Sequence, residues 1–174
     1  DPANTNHIYV GNDGGFFESV DGVTFQQSLD LPITQFYAGE VDQTDAMRIF
    51  GGAQDNSTVM TASGPFSWIT ILRGDGFQVV SDPVNPSVVF AEWQNCCSNT
   101  GVRRSTSGGP SPTGTTGWVS GDRFGWNTPI VMSPSDHNTL LAGSQYVYRS
   151  VNNGVSWAKI SGDLSSSPGG SLVY

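Results

Sequence analysis

Short apolar runs punctuate an otherwise polar chain at nearly regular intervals. Ile8-Tyr9-Val10, Ile49-Phe50, Val89-Phe90-Ala91 and Leu140-Leu141-Ala142 stand at one fixed distance from Asp1, Asp42, Asp82 and Ser133. In all four segments the first residue is Asp or Ser, and the fourth is Asp or Asn (Asn4, Asp45, Asn85, Asp136). The eighth is aliphatic and the ninth apolar, and Gly11, Gly52 and Gly143 fill the eleventh place in three of the four. The starts lie about forty residues apart, the third interval being longer by about ten. Residues 105–117, a Ser/Thr/Gly/Pro tract, account for that excess as an inserted hairpin loop.

A second pattern falls at a fixed offset in each unit. Ser150, Asn152, Gly154 and Trp157 fit S-x-[D/N]-x-G-x-[S/T]-W, known as the Asp-box. Ser19, Asp21 and Phe25 form a version one residue shorter, and Thr61 to Trp68 keeps the ends without the acid. The third unit keeps Ser105 and Gly109 and reaches Trp118 only after the tract. An Asp or Asn side chain accepts N–H groups of a tight turn, Gly supplies a positive φ, and the aromatic packs between sheets. Ser19, Asp21, Phe25, Trp68, Ser150, Asn152, Gly154 and Trp157 are therefore expected to be structural.

A period near forty matches one four-stranded antiparallel blade, so the sequence predicts an all-β fold, a β-propeller segment of about four blades. The units run over about 1–32, 33–74, 75–126 and 127–174 of a single domain. First strands are expected at 33–41, 76–81 and 128–132, whereas the first unit lacks one of its own. Residues 171–174 read as the start of another, so the chain either belongs to a larger ring or closes a four-bladed one. The opening Asp1-Pro2-Ala3-Asn4 reads like the interior of a longer protein. The Asp-boxes and the Asp-Pro-x-Asn loops share one face. Loops joining second to third strands, and the crossings between blades, then share the other.

Composition narrows the partners. Charged residues are 13%, Gly 22 and Pro 10, as expected for short strands and many turns. Seven Lys and Arg in a chain of net charge −8 offer no surface to neutralise phosphates, so nucleic acid and anionic membranes are not expected partners. No apolar run has the length of a membrane span.

Gly11-Asn12-Asp13-Gly14-Gly15, Thr34-Gln35-Phe36-Tyr37, Gly51 to Asn56, Arg73 to Phe77 and Arg123 to Pro129 together resemble secreted bacterial BNR-repeat proteins. Those are similar to sortilin-type propellers and, more distantly, to xyloglucanase-like glycosidases. The resemblance implies a secreted or cell-surface protein, and relatives with more blades imply that the rest of the propeller, or other copies, is a partner. It is specific for architecture, because one frame hosts unrelated functions.

Function is expected on the face opposite the repeat turns. Gln54, Asp55, Asn56, Arg73, Asp75, Trp93, Asp122, Arg123 and Trp126 are the candidate ligand-binding residues, beside Gln94 and Gln145. Trp rings stack on the apolar faces of sugars while acids and amides bond the hydroxyls. A non-catalytic scaffold therefore leads, with a glycan as its candidate ligand. The bland alternative makes Asp55 and Asp75 turn residues and the tryptophans inter-blade core. The competing class is a glycoside hydrolase, needing an acid and a base about 6.5–9.5 Å apart for inversion. Asp13, Asp55 and Asp75 are the catalytic candidates for that class, Asp13 matching the acid-bearing Gly-rich turn that the resemblance implies. No cofactor is expected; acidic loops could hold Ca²⁺, but no EF-hand loop and no zinc spacing is present. His7 and His137 read as solvated loop residues. Cys96 and Cys97 are expected to form a vicinal disulfide, with two thiols or bonds to further sequence as the alternatives.

Overall fold

The repeated polar residues hold their own backbones, and the strands follow from them. In the computed structural model Asp42 Oδ1 accepts the N–H groups of Thr44 (2.7 Å) and Asp45 (3.2 Å). Asp82 Oδ1 accepts those of Val84 (2.8 Å) and Asn85 (3.0 Å). The fourth residue acts two positions on: Asn4 on Asn6, Asp45 on Met47, Asn85 on Ser87 and Asp136 on Asn138. These side chains satisfy N–H groups that a reversal leaves without strand partners. The polar pattern therefore recurs just where each apolar run begins.

The structure describes residues 1–12, 14–28, 34–64, 67–94 and 101–165. Among them all helix and strand is strand, and no helix is long and apolar enough to cross a membrane. Two compact units divide the chain, Asp1–Gln35 and Phe36–Tyr174. The first carries a three-stranded sheet of β1 (Ile8–Asn12), β2 (Gly15–Ser19) and β3 (Gln26–Gln27). The second carries three four-stranded sheets. Sheet 2 is β4 (Ala38–Val41), β5 (Ile49–Ala53), β6 (Ser57–Thr61) and β7 (Ile69–Leu72). Sheet 3 is β8 (Gly76–Ser81), β9 (Val89–Trp93), β10 (Val102–Ser105) and β11 (Thr113–Gly114). Sheet 4 is β12 (Ile130–Ser133), β13 (Asp136–Gly143), β14 (Val147–Ser150) and β15 (Ala158–Lys159). Every pairing is antiparallel between strands consecutive in sequence. The first strand of sheet 2 is shorter than expected, because Tyr37 only touches the ladder through its N–H to Gly52 O (2.8 Å).

The turns between the last two strands occupy residues 20–25, 62–68, 106–112 and 151–157. Ser150 Oγ accepts the N–H groups of Asn152 and Gly154, and Asn152 Oδ1 that of Ser156 (3.0 Å). Asp21 Oδ1 accepts Val23 N–H (2.9 Å) and Thr24 N–H (2.7 Å), which hold its carboxyl far below the usual carboxylate range. The third turn corrects the expectation of a hairpin inserted at 105–117. Ser105 Oγ accepts Ser107 and Gly109 N–H, the chain passes straight into β11, and this turn is as short as the others. The extra residues form the connection 115–129 instead, whose composition is that of any turn-rich segment. That connection lies along sheet 4: Trp157 N–H donates to Thr116 O (2.9 Å), and Trp118 stacks on Trp157 at 4.8 Å. Trp157 is buried, Trp68 packs on Phe36 at 5.6 Å, and Phe25 stays 44% exposed rather than sealed between sheets.

The core lies in the seams between successive sheets of the second unit. Phe50, Met60, Ile71, Val79 and Val89 fill one; Phe90, Val102, Ile130, Leu140, Tyr148 and Trp157 belong to the other. Gly154 owes its identity to this packing, since a Cβ there would lie 2.1 Å from Phe90 Cε1, at a φ of +72°. Polar bonds cross the same seams. His137 Nδ1 meets the buried Asp82 at 2.9 Å, joined by Asn153 Nδ2, so His137 is not a merely solvated loop residue. Burial pushes the Asp82 carboxyl up, but these partners and two turn N–H groups outweigh it and leave it below the ordinary value. His7 likewise engages Glu18.

Candidate functional site

Loops from the ends of sheets 2, 3 and 4 meet through a glutamine that opens each turn between second and third strands. Gln94 Oε1 accepts Asp75 N–H (2.6 Å), while Gln94 N–H donates to Asp75 O (3.0 Å). Gln145 repeats the two-point clamp on Arg123, at 2.6 and 3.0 Å. Each clamp ties a crossing connection to the turn of the sheet it enters, and buries the amide's own hydrogen-bonding demand. Gln54 uses its carbonyl differently, accepting the Tyr37 hydroxyl at 2.8 Å.

Around Gln54 the structure gathers the most open part of the face. Asp55 sits at φ +62° and donates its N–H to Asp75 Oδ1 (2.9 Å), so the two candidate carboxylates share one turn. Asn56 Nδ2 bonds Gln54 O (3.2 Å). Beside them three aromatic rings meet edge to face: Tyr37 on Phe77 at 5.1 Å, Phe77 on Trp126 at 4.7 Å, and Tyr37 towards Trp126 at 6.4 Å. Phe77 is fully buried beneath, Trp126 is half-buried, and Tyr37 remains 53% exposed. The result is a stepped aromatic surface flanked by amide and carboxylate oxygens.

Other expected residues fall elsewhere or serve the frame. Asp122 accepts the Tyr148 hydroxyl and the Lys159 ammonium, and burial together with that carboxylate pushes the Tyr148 phenol up to about 12. Arg123 donates to Ser165 Oγ (2.8 Å) and pairs with Asp163 at 3.5 Å. Trp93 lies half-buried under the Arg103 guanidinium at 5.1 Å. Arg73 is exposed, with no side-chain hydrogen bond or ion pair to another described residue. Asp13, Cys96 and Cys97 lie outside the described residues.

Sequence reasoning missed Tyr37 and Phe77 as parts of the surface. The available signal was Tyr37's place on the crossing into β4, a segment already assigned to the loop face. It also missed Glu92, which is fully buried with Oε1 accepting Thr128 N–H (3.0 Å) and Oε2 unpaired. Burial raises the Glu92 carboxyl to about 8, against a smaller opposing pull from the N–H and nearby hydroxyl of Thr128.

No protein-family model matches the sequence, and no curated protein matches it. Solved structures do match the fold. An ancestral GH74 enzyme superposes with a TM-score of 0.63 at 23% identity, over 93% of this chain and 23% of its own. YCF48 from Cyanidioschyzon merolae gives 0.50 at 14% identity, over 90% of this chain and 52% of its own. The chain thus spans about a quarter and about half of the lengths of these structures. With its antiparallel sheets and no helix among the described residues, it has an all-β, propeller-type fold.

Proposed function

We propose that the chain is part of a non-catalytic binding propeller of the BNR/Asp-box, sortilin-like kind, in a secreted or cell-surface protein. Its ligand is a neutral glycan held on the loop face, and its other partner is the remainder of the propeller. The observation that carries this reading is the half-open Tyr37–Phe77–Trp126 surface with Gln54 fixed at its edge. An aromatic step offers a sugar ring a flat apolar contact, and the adjacent amide and carboxylate oxygens of Gln54, Asp55 and Asp75 accept its hydroxyls. Asp75 and Asp122 already accept N–H, O–H and ammonium donors of their own frame. That favours binding over a hydrolase, which needs two carboxyl groups free to face the glycosidic bond.

The test is a glycan array followed by titration of any neutral hit. Tyr37→Ala should weaken binding by about tenfold at most, the range of one aromatic contact, with an unchanged thermal midpoint. Tyr37→Phe, which loses only the bond to Gln54, should weaken it less. A wild-type array without signal above background, or an unaltered affinity in Tyr37→Ala, removes the reading. Turnover of the bound glycan would replace it with the hydrolase.

A further inference from the structure

Sheets 2 and 3 each send one cross-strand row of side chains into the sheet that follows. In sheet 2 the row is Glu40, Phe50 and Met60, paired across β4, β5 and β6. Glu40 Oε1 accepts Ser81 N–H (3.2 Å) and O–H (2.6 Å), and a Cβ on Gly109 would lie 3.1 Å from the Phe50 ring and 2.9 Å from Met60 Sδ. In sheet 3 the row is Val80, Phe90 and Arg104, in the same register. Phe90 presses on Gly154, and Arg104 Nε donates to the carbonyl of Asn153 (2.8 Å), the residue before that glycine. Thus the second member of each row seats on the turn glycine of the next sheet.

Sheet 4 carries the same row, Val131, Leu141 and Arg149, again paired directly across its first three strands. Here nothing among the described residues covers it: Val131 is 56% and Leu141 38% exposed, whereas Phe90 is fully buried. Arg149 is exposed and makes no hydrogen bond or ion pair with another described residue. An apolar pair beside an unpaired guanidinium on a sheet face is an interface without its partner.

We propose that Val131, Leu141 and Arg149 dock a further sheet of this same repeat, carried on the same polypeptide. Leu141 seats on that sheet's turn glycine, and Arg149 donates to the carbonyl of the residue before it. The occupant follows from continuity with the two seams already formed, and from solved structures of the same fold whose chains are about two to four times as long. The inference concerns assembly and stands whether or not the loop face binds a glycan.

The intact polypeptide, carrying Leu141→Cys or, as a control on the neighbouring turn, Val151→Cys, would be labelled with a maleimide and read peptide by peptide by mass spectrometry. The thiol of the Leu141→Cys variant should label about tenfold or more slowly than that of Val151→Cys, the protection expected of a buried seam. That ratio should hold across a range of protein concentrations. Equal labelling rates overturn the proposal. Protection that grows with protein concentration makes a second copy the occupant and overturns it too. Hydroxyl-radical footprinting of Leu141 against Val151 in the wild type gives the same comparison without a substitution.

Discussion

Gly52→Ala should unfold the Phe36–Tyr174 unit or cost it about 4 kcal/mol or more, in the exceptional range for one substitution. A Cβ on Gly52 would stand 1.8 Å from Phe77 O and 2.5 Å from both Phe77 C and N. The obstacle is backbone on both sides, so no rotamer change relieves it, and separating β5 from β8 would open the Phe50–Val79–Val89 seam. Gly39→Ala is the control on the neighbouring strand, its nearest atom at an ordinary 3.7 Å from the added carbon. That variant should stay within about 1 kcal/mol of wild type. Urea unfolding followed by tryptophan fluorescence compares the two. If Gly52→Ala unfolds at the midpoint of Gly39→Ala, the backbone contact between sheets 2 and 3 is not as close as described.

Much of this frame could be read in advance because its determinants are local. Asp42 and Asp82 bond N–H groups two and three residues away, and Ser150 and Asn152 act within one turn, so a single repeat shows the whole interaction. What joins the sheets was not legible. Phe90 meets Gly154, Asp82 meets His137 and Tyr37 meets Trp126 across long stretches of sequence, with no periodic signal to announce the pair. The same reason hid the true place of the extra residues. The tract after Ser105 reads as loop, and only its hydrogen bonds to Ser105 and the start of β11 show that the turn closes normally. At the loop face, the candidates came from strand order alone. Strand order brought Gln54, Asp55 and Asp75 together, but it could not separate them from Asp122 and Arg123, which serve the frame.

Glu92 occupies the repeat position that Gly52 fills in the preceding sheet, and it turns that position into a pH-dependent one. Its carboxyl reaches across the seam from β9 to Thr128 N–H, with no cation beside it, and burial raises it from an ordinary value near 4.5 to about 8. Between those two values the folded protein keeps a proton that the unfolded chain has released. Stability from this group is therefore complete below about pH 4.5 and falls as the pH rises towards 8, by up to about 1.4 kcal/mol per unit. Above pH 8 the buried charge remains and the loss levels off. Glu92→Gln keeps the side chain's length and its carbonyl acceptor for Thr128 N–H but has no proton to lose. The variant should match wild type to within about 1 kcal/mol at pH 5 and exceed it by several kcal/mol at pH 8, on the order of the linkage above. Urea midpoints at half-unit steps from pH 5 to 9 would trace the difference. Parallel curves for the two proteins would mean that Glu92 is ionised in the fold at neutral pH, and that a partner for Oε2 offsets its burial.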